Sequence, residues 1–206
     1  MPRAFDERER TAIRARLVAA GSELFRAGGV AKTTVDDLAR SAGIAKGSFY
    51  KFYSSKELLF FEILDQVHEA LRAPLLQPAA GSRDRKAFEW RLRTLFEASY
   101  REPLIRRMGQ QDDFQAVVRR VPADRLEAHQ SRDQAFIDDL IARWADPRRP
   151  PARDVVAAQI TSTLLLCLRR DFLGERLYPL AFDAAIDSLI ACFFPDPDPQ
   201  SHAGLQ

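Results

Sequence analysis

Apolar residues recur every three or four positions along most of this chain of 206 residues, with no sustained two-residue alternation of β-branched side chains. That spacing lines up one face of an α-helix and argues against strands. Ile13, Leu17, Ala20, Leu24 and Phe25 make the first such face, and Gly28-Gly29 is its expected stop. A short helix is predicted over Thr34–Ala42. It is opened by T-x-x-D, in which the Thr34 hydroxyl caps an orphan amide three residues on, at Asp37. A third helix is predicted over Ala45–Tyr53. A fourth starts near Ser55 and carries Leu58, Leu59, Ile63 and Val67 on one face.

The pattern then breaks. APLLQPAAGS at 73–82 reads as a linker because of its prolines and glycine. Helical spacing resumes over Arg83–Tyr100, weakens over Arg101–Arg120, and returns over Pro122–Ala145, which ADPRRPP closes. Two further helices are predicted at Ala152–Asp171 and Tyr178–Phe194, followed by a frayed tail at 195–206. The fold class is therefore all-α.

Composition adds little until it is divided along the chain. Apolar residues are 46% and charged residues 29%, enough for a sizeable core in a soluble protein, and the net charge is only +2. Residues 1–60, however, hold 11 Lys and Arg against 7 Asp and Glu, whereas the remainder holds 20 against 22. A basic N-terminal third on a slightly acidic body predicts a polyanionic partner for the N-terminus. The two cysteines, Cys167 and Cys192, are too few for a disulfide framework and lie in apolar surroundings, which fits a cytoplasmic protein. The longest aliphatic run falls well short of the ~20 residues of a membrane span, so no membrane partner is expected.

Enzyme chemistry finds no foothold. His68, His129 and His202 are scattered, no glycine loop follows a strand, and carboxylate pairs such as Asp112-Asp113 and Asp138-Asp139 diverge on a helix. No catalytic residue, metal site or cofactor is expected. The helices around residue 43 are more informative. Ala39 is small where two helices would cross. Gly43 falls at a turn that needs positive φ, and Ile44 and Phe49 fall where the second helix would lock onto the first. These offsets fit a helix-turn-helix. They also explain why AGIAKGSFYKFYSSKELL crowds aromatics with lysines. Phe49, Phe52 and Tyr53 anchor the second helix, leaving Lys46, Ser48, Tyr50 and Lys51 outside. Gly47 permits close approach to a duplex, and Lys56 sits at the start of the next helix, where free amides favour phosphate.

The segment TTVDDLARSAGIAKGSFYKFYSSKELL closely resembles the signature of TetR-type bacterial repressors, near TT-x-x-x-IA-x-x-AGVSKGTLYHYFPSKEELL, over about residues 10–65. The resemblance implies a homodimer. Its helix-turn-helix DNA-binding domain would be residues 1–54, with residues 55–72 as a connecting helix. A ligand-binding and dimerisation domain would span 55–194. It implies Thr34 as a phosphate-binding cap, Lys46, Gly47, Ser48, Tyr50 and Lys51 as the DNA-facing positions, and Lys56 as a phosphate contact. Here Lys51 replaces the usual histidine, Phe52-Tyr53 reverses the usual Tyr-Phe, and Ser54 stands for proline and is expected to cap the fourth helix. The implied partners are double-stranded DNA bearing an inverted repeat, a second copy of the chain, and an unknown small molecule. The implied function is a repressor released from its operator by a small hydrophobic or aromatic ligand. The alternative is a DNA binder of the same kind controlled by a protein partner.

Apolar surplus in the last two helices points to pairing with symmetry mates, through Leu165, Ile186, Leu189 and Phe193. The candidate ligand walls are Phe88, Phe96, Tyr100, Met108, Phe114, Phe136, Trp144 and Phe172.

Overall fold

The computed structural model describes residues 5–77, 84–108, 115 and 117–195. Among these residues the secondary structure is helical, with no strand. The elements are α1 (Glu7–Lys32), α2 (Val35–Ser41), α3 (Lys46–Phe49), α4 (Lys56–Leu76), α5 (Arg85–Arg101), α6 (Pro103–Met108), α7 (Ala123–Trp144), α8 (Arg153–Leu168) and α9 (Arg170–Phe193). The candidate wall Phe114 and nearly all of the predicted tail lie outside the described residues.

Local chemistry sets most boundaries. Asp6 and Glu9 form a reciprocal capping box at the start of α1. Gly29 leaves helical geometry near its end, at φ 76 and ψ 173, where the sequence placed the stop. Two predictions are corrected. The segment read as a linker from residue 73 stays helical through Leu76. Pro74 removes one ladder hydrogen bond close to a helix end, too little to break the helix earlier. The last helix begins at Arg170 rather than Tyr178. It is kinked at Gly174, and Pro179 follows one turn into the next segment.

The chain divides into two compact units. The first comprises the described residues of Met1–Ala70 and Arg101–His129, the second those of Leu71–Tyr100 and Gln130–Gln206. In the first, Leu17, Phe25, Leu38, Phe49, Leu59 and Phe60 have no exposed surface. Phe25 and Phe60 meet edge to face at 5.3 Å, joining α1 to α4. The Arg26 guanidinium grips the Glu102 carboxylate at 3.0 and 3.3 Å, and Arg107 donates to the Ala27 carbonyl, tying α1 to the α6 region.

In the second unit the core is aromatic. Phe88 packs on Trp144 at 5.0 Å and on Phe193 at 4.7 Å, and the Trp144 indole donates to the Leu75 carbonyl. Phe88, Phe96, Phe136 and Trp144, expected as ligand walls, are buried members of this packing. Tyr100 is half-buried. Met108 belongs to the first unit, on α6, and Phe172 stands 85% exposed on α9, so neither joins those walls. Large aromatics at helical spacing serve a packed core as well as a pocket, and here the core takes them.

The expected dimer residues divide in the same way. Ile186 and Leu189 are fully buried and Phe193 nearly so, all within the protomer's own core. They are spent inside one chain and do not face a partner. Leu165 is 57% exposed, as expected of an interface, and it has company: Val155 on α8 with Phe172, Leu177 and Leu180 on α9 are also large and exposed. α9 thus carries two apolar stripes, one inside the unit and one outside.

Candidate nucleic-acid interface

α2 and α3 make the helix-turn-helix, and each predicted packing residue has its reason. Leu38, Ala39, Ala42 and Phe49 are buried where α2 meets α3 and α1. Ile44, expected buried, is only half so. The turn closes by Gly43 N–H donating to the Arg40 carbonyl at 3.1 Å and Ile44 N–H to the Ala39 carbonyl at 2.9 Å. Gly43 has φ +67, the left-handed region in which a side chain is strained. The regular part of α3 is only Lys46–Phe49, shorter than predicted. The chain beyond it is still hydrogen-bonded as turns: Phe52 and Tyr53 both donate to the Phe49 carbonyl.

Thr34 is saturated within its own helix start. Its hydroxyl accepts from the Asp37 N–H at 3.1 Å and donates to the Asp37 carboxylate at 2.6 Å, which holds that carboxyl below its usual range. Lys46, Gly47, Tyr50 and Lys51 are exposed and Ser48 half-buried. Tyr50 keeps its ring against Phe49 at 5.5 Å while remaining 54% exposed. A Cβ built on Gly47 meets nothing within 4 Å. The fold itself therefore does not require glycine there, and the absent side chain leaves room for something outside the protein.

Lys51, exposed, and Phe52, half-buried, form a second group. The Lys51 ammonium lies 5.4 Å from the Phe5 ring, Phe5 packs on Phe52 at 5.9 Å, and the Arg10 guanidinium covers Phe52 at 5.4 Å.

Two residues differ from expectation in what they contact. Lys56 spends two of its three donors inside the protein. Its ammonium donates to the Val30 carbonyl at 2.6 Å and the Thr33 carbonyl at 2.7 Å, closing the corner between α1 and α2. Those carbonyls come free where Gly29 breaks the helix, and a cation is the natural partner there. The cap of α4 is Ser55, whose hydroxyl accepts from the Leu58 N–H at 3.2 Å, in place of Ser54.

Sequence reasoning missed three residues that hold this surface. Glu62 on α4 accepts from the Arg14 guanidinium through both oxygens, one at 3.2 Å, and from the Tyr53 hydroxyl at 3.2 Å. Burial and the nearby Glu62 charge push the Tyr53 phenol above its usual pKa, so it stays a donor. Arg125, at the start of α7, reaches the same carboxylate at 4.0 Å. Asp36 is the third, its carboxylate 2.8 Å from the Lys46 ammonium. A basic residue on α1 paired with an acid on the fourth helix leaves no local sequence signal. Asp36, ten residues ahead of a lysine and without a capping task, leaves a faint one.

Within the second unit a cleft of about 330 Å³ opens between the last turn of α4, α7 and α8. Phe136, Ile137, Ala157 and Ile160 give it an apolar side; Gln130, Gln134 and Thr161 are polar, and Arg72 and Arg153 are charged. Arg72 is held by Asp133 at 2.8 Å and lies 4.9 Å over the Phe136 ring, and Arg153 chelates Asp138 at 2.7 and 2.6 Å. Among the described residues, Phe136 is the one expected wall residue that borders it. Among the described residues no cluster suits a metal ion, and no helix is long and apolar enough to cross a membrane.

Residues 17–63 match the family model described as bacterial regulatory proteins, tetR family. The HTH-type transcriptional regulator EthR of Mycobacterium tuberculosis is 29% identical over 149 residues, covering 69% of this chain and 68% of that one. Among solved structures, a TetR transcriptional regulator from Rhodococcus sp. RHA1 has a TM-score of 0.63 at 16% identity, covering 92% of this chain and all of the other. Thermus thermophilus FadR, a TetR family repressor in complex with lauroyl-CoA, has a TM-score of 0.60 at 19% identity, covering 90% and 97%.

Proposed function

We propose that this chain, which belongs to the tetR family of DNA-binding transcriptional regulators, is a homodimeric repressor that binds an inverted repeat and leaves it when a small molecule occupies the second unit. The observation that carries the DNA-reading half is the open surface at Gly47 between exposed Lys46, Tyr50 and Lys51. A glycine in helical conformation that no neighbour requires costs stability, even in the first turn of a short helix, and a closely approaching duplex accounts for that cost. Gly47→Ala is therefore expected to raise stability by about 0.5–1 kcal/mol. It should also weaken operator binding by about tenfold or more, since one methyl forced into a packed interface costs about 1–3 kcal/mol. Thermal unfolding and fluorescence anisotropy read the two effects. A variant both more stable and equally tight on DNA would remove the reading.

A symmetric pair presents two copies of α3, so the site is an inverted repeat whose half-sites lie about one helical turn apart or a multiple of it. Selection of binding sequences from a random duplex library tests this directly, and enrichment of no palindrome counts against it. Ser48 and Lys51 are assigned to phosphate contact and Tyr50 to a contact at the groove edge, while Thr34, whose donors are both given to Asp37, keeps its role as the cap of α2. Tyr50→Ala is expected to lower operator affinity about tenfold while leaving the fold intact, because its ring is half exposed.

The second copy is assigned to the outer stripe of α8 and α9, Val155, Leu165, Leu177 and Leu180, which offers apolar surface on two neighbouring helices of one unit. The effector is assigned to the cleft bordered by Phe136 and Ile160, whose volume suits a small ligand. Its mixed lining favours an aromatic or apolar body bearing hydrogen-bonding groups, more polar than the aromatic residues of the chain led us to expect. FadR of Thermus thermophilus, which is similar in fold, holds lauroyl-CoA, and this supports ligand control in preference to control by a partner protein. A ligand that favours the DNA-free state must bind the DNA-bound protein more weakly by the same factor. Thermal-shift screening followed by operator-release assays tests this, and hits that stabilise the protein without loosening DNA would overturn the coupling.

A further inference from the structure

The first turn of α2 carries two adjacent acids on the surface that must face a polyanion, and they are used differently. Asp37 is committed to the helix: it completes the capping box with Thr34 and lies 3.8 Å from Arg40. Asp36 has no part in the cap. Its carboxylate accepts from the Lys46 ammonium at 2.8 Å, and that contact, first of all, raises the Lys46 pKa. Both side chains are about half exposed, at 51% and 57%, so water screens the pair and it adds little to the fold. An acid on a DNA-binding face that contributes little stability and repels phosphate needs another reason to be there.

We infer that Asp36 is a specificity-determining residue, a positioning group that neutralises Lys46 toward phosphate and aims its remaining donors at a base edge. An ammonium has three N–H donors, and one is taken by Asp36. Away from the correct site the pair carries no net charge, so docking it releases no counterion and adds nothing to non-specific affinity. At the correct site an acceptor on a base edge meets a donor already held in direction, and Asp36 stays paired. A bare lysine would give most of its contribution to any phosphate within reach. The Asp36–Lys46 pair gives it only where the base offers an acceptor.

The inference rests on the operator reading above, and its test separates the two. Wild type, Asp36→Asn, Lys46→Ala and the double variant are measured by anisotropy on a random-sequence duplex and on the duplex wild type selects, across a salt series. Asp36→Asn is expected to tighten random duplex about three- to eightfold and to steepen its salt slope by about one phosphate. The ratio of selected to random affinity should fall about fivefold, the lower end of what one directed base contact discriminates. In the Lys46→Ala background the same substitution should leave the ratio unchanged. An equal gain on both duplexes, or a fall in ratio that persists without Lys46, would show a plain charge effect and overturn the inference. Unchanged affinity and slope on random duplex would overturn it too, and that arm needs no operator. If no sequence is selected, the operator reading fails, and with it the specificity role. Asp36→Ser, which keeps a small polar residue at the helix start, repeats the measurement should Asn lower the melting temperature.

Discussion

Leu180→Arg is expected to leave a folded protomer that no longer pairs, whereas Leu189→Arg leaves no folded protein. The two leucines lie nine residues apart on α9 and face opposite ways: Leu180 is 68% exposed and Leu189 fully buried. An arginine at 189 removes a well-packed side chain, at about 2–5 kcal/mol, and leaves an unpaired cation among Phe88, Ile186 and Phe193. Together these reach the whole stability of an ordinary domain, about 5–15 kcal/mol. At 180 the cation stays in water in the single chain, and its cost falls on association alone. Circular dichroism melts and light scattering at micromolar concentration distinguish the cases. A dimeric Leu180→Arg variant would move the pairing surface elsewhere, and a folded Leu189→Arg variant would contradict its burial.

Lys56→Met is expected to destabilise the first unit by about 1–3 kcal/mol, discounted for partial exposure, without changing the salt dependence of DNA binding. The substitution keeps most of the stem but leaves the Val30 and Thr33 carbonyls without their charged donor. A lysine bound to phosphate would behave oppositely. Its loss would leave the melting temperature alone and shallow the salt slope by about one phosphate. Thermal unfolding and a salt series on one DNA duplex decide between them.

Lys56 shows where sequence reading stops. A lysine at the start of a helix after a basic, aromatic segment has the composition of a phosphate contact. Its real acceptors lie 26 and 23 residues earlier, on carbonyls freed by the bend at Gly29. By contrast, the small residue at 39, the glycine at 43 and the apolar position at 49 were legible, because one short motif fixes all their contacts. The last helices were legible as helices and not as surfaces. Leu189 and Leu180 each sit on an apolar stripe, and periodicity alone does not say which stripe the protomer covers with its own side chains. Of the aromatic residues expected as walls, Phe136 borders the cleft, and others are taken up by core packing. Phe88, Phe96 and Trp144 fill one another's space, and the cleft lies beside polar residues that look like ordinary helix surface.

The reversed order of Phe52 and Tyr53 changes what binding DNA must accomplish. In the TetR-type signature the hydroxyl falls at the earlier position. Here it lies inside, bonded to Glu62, and the ring at 52 is clasped by Phe5 and Arg10. The hydroxyl is withdrawn into the protein, and the reading helix has its far end fastened to α1 and α4 before any DNA arrives. The rotamer and backbone freedom a looser end would lose on association is already lost on folding. Calorimetry on this protein should accordingly record a binding enthalpy smaller, and an entropy less unfavourable, than for its Phe52→Tyr, Tyr53→Phe double variant.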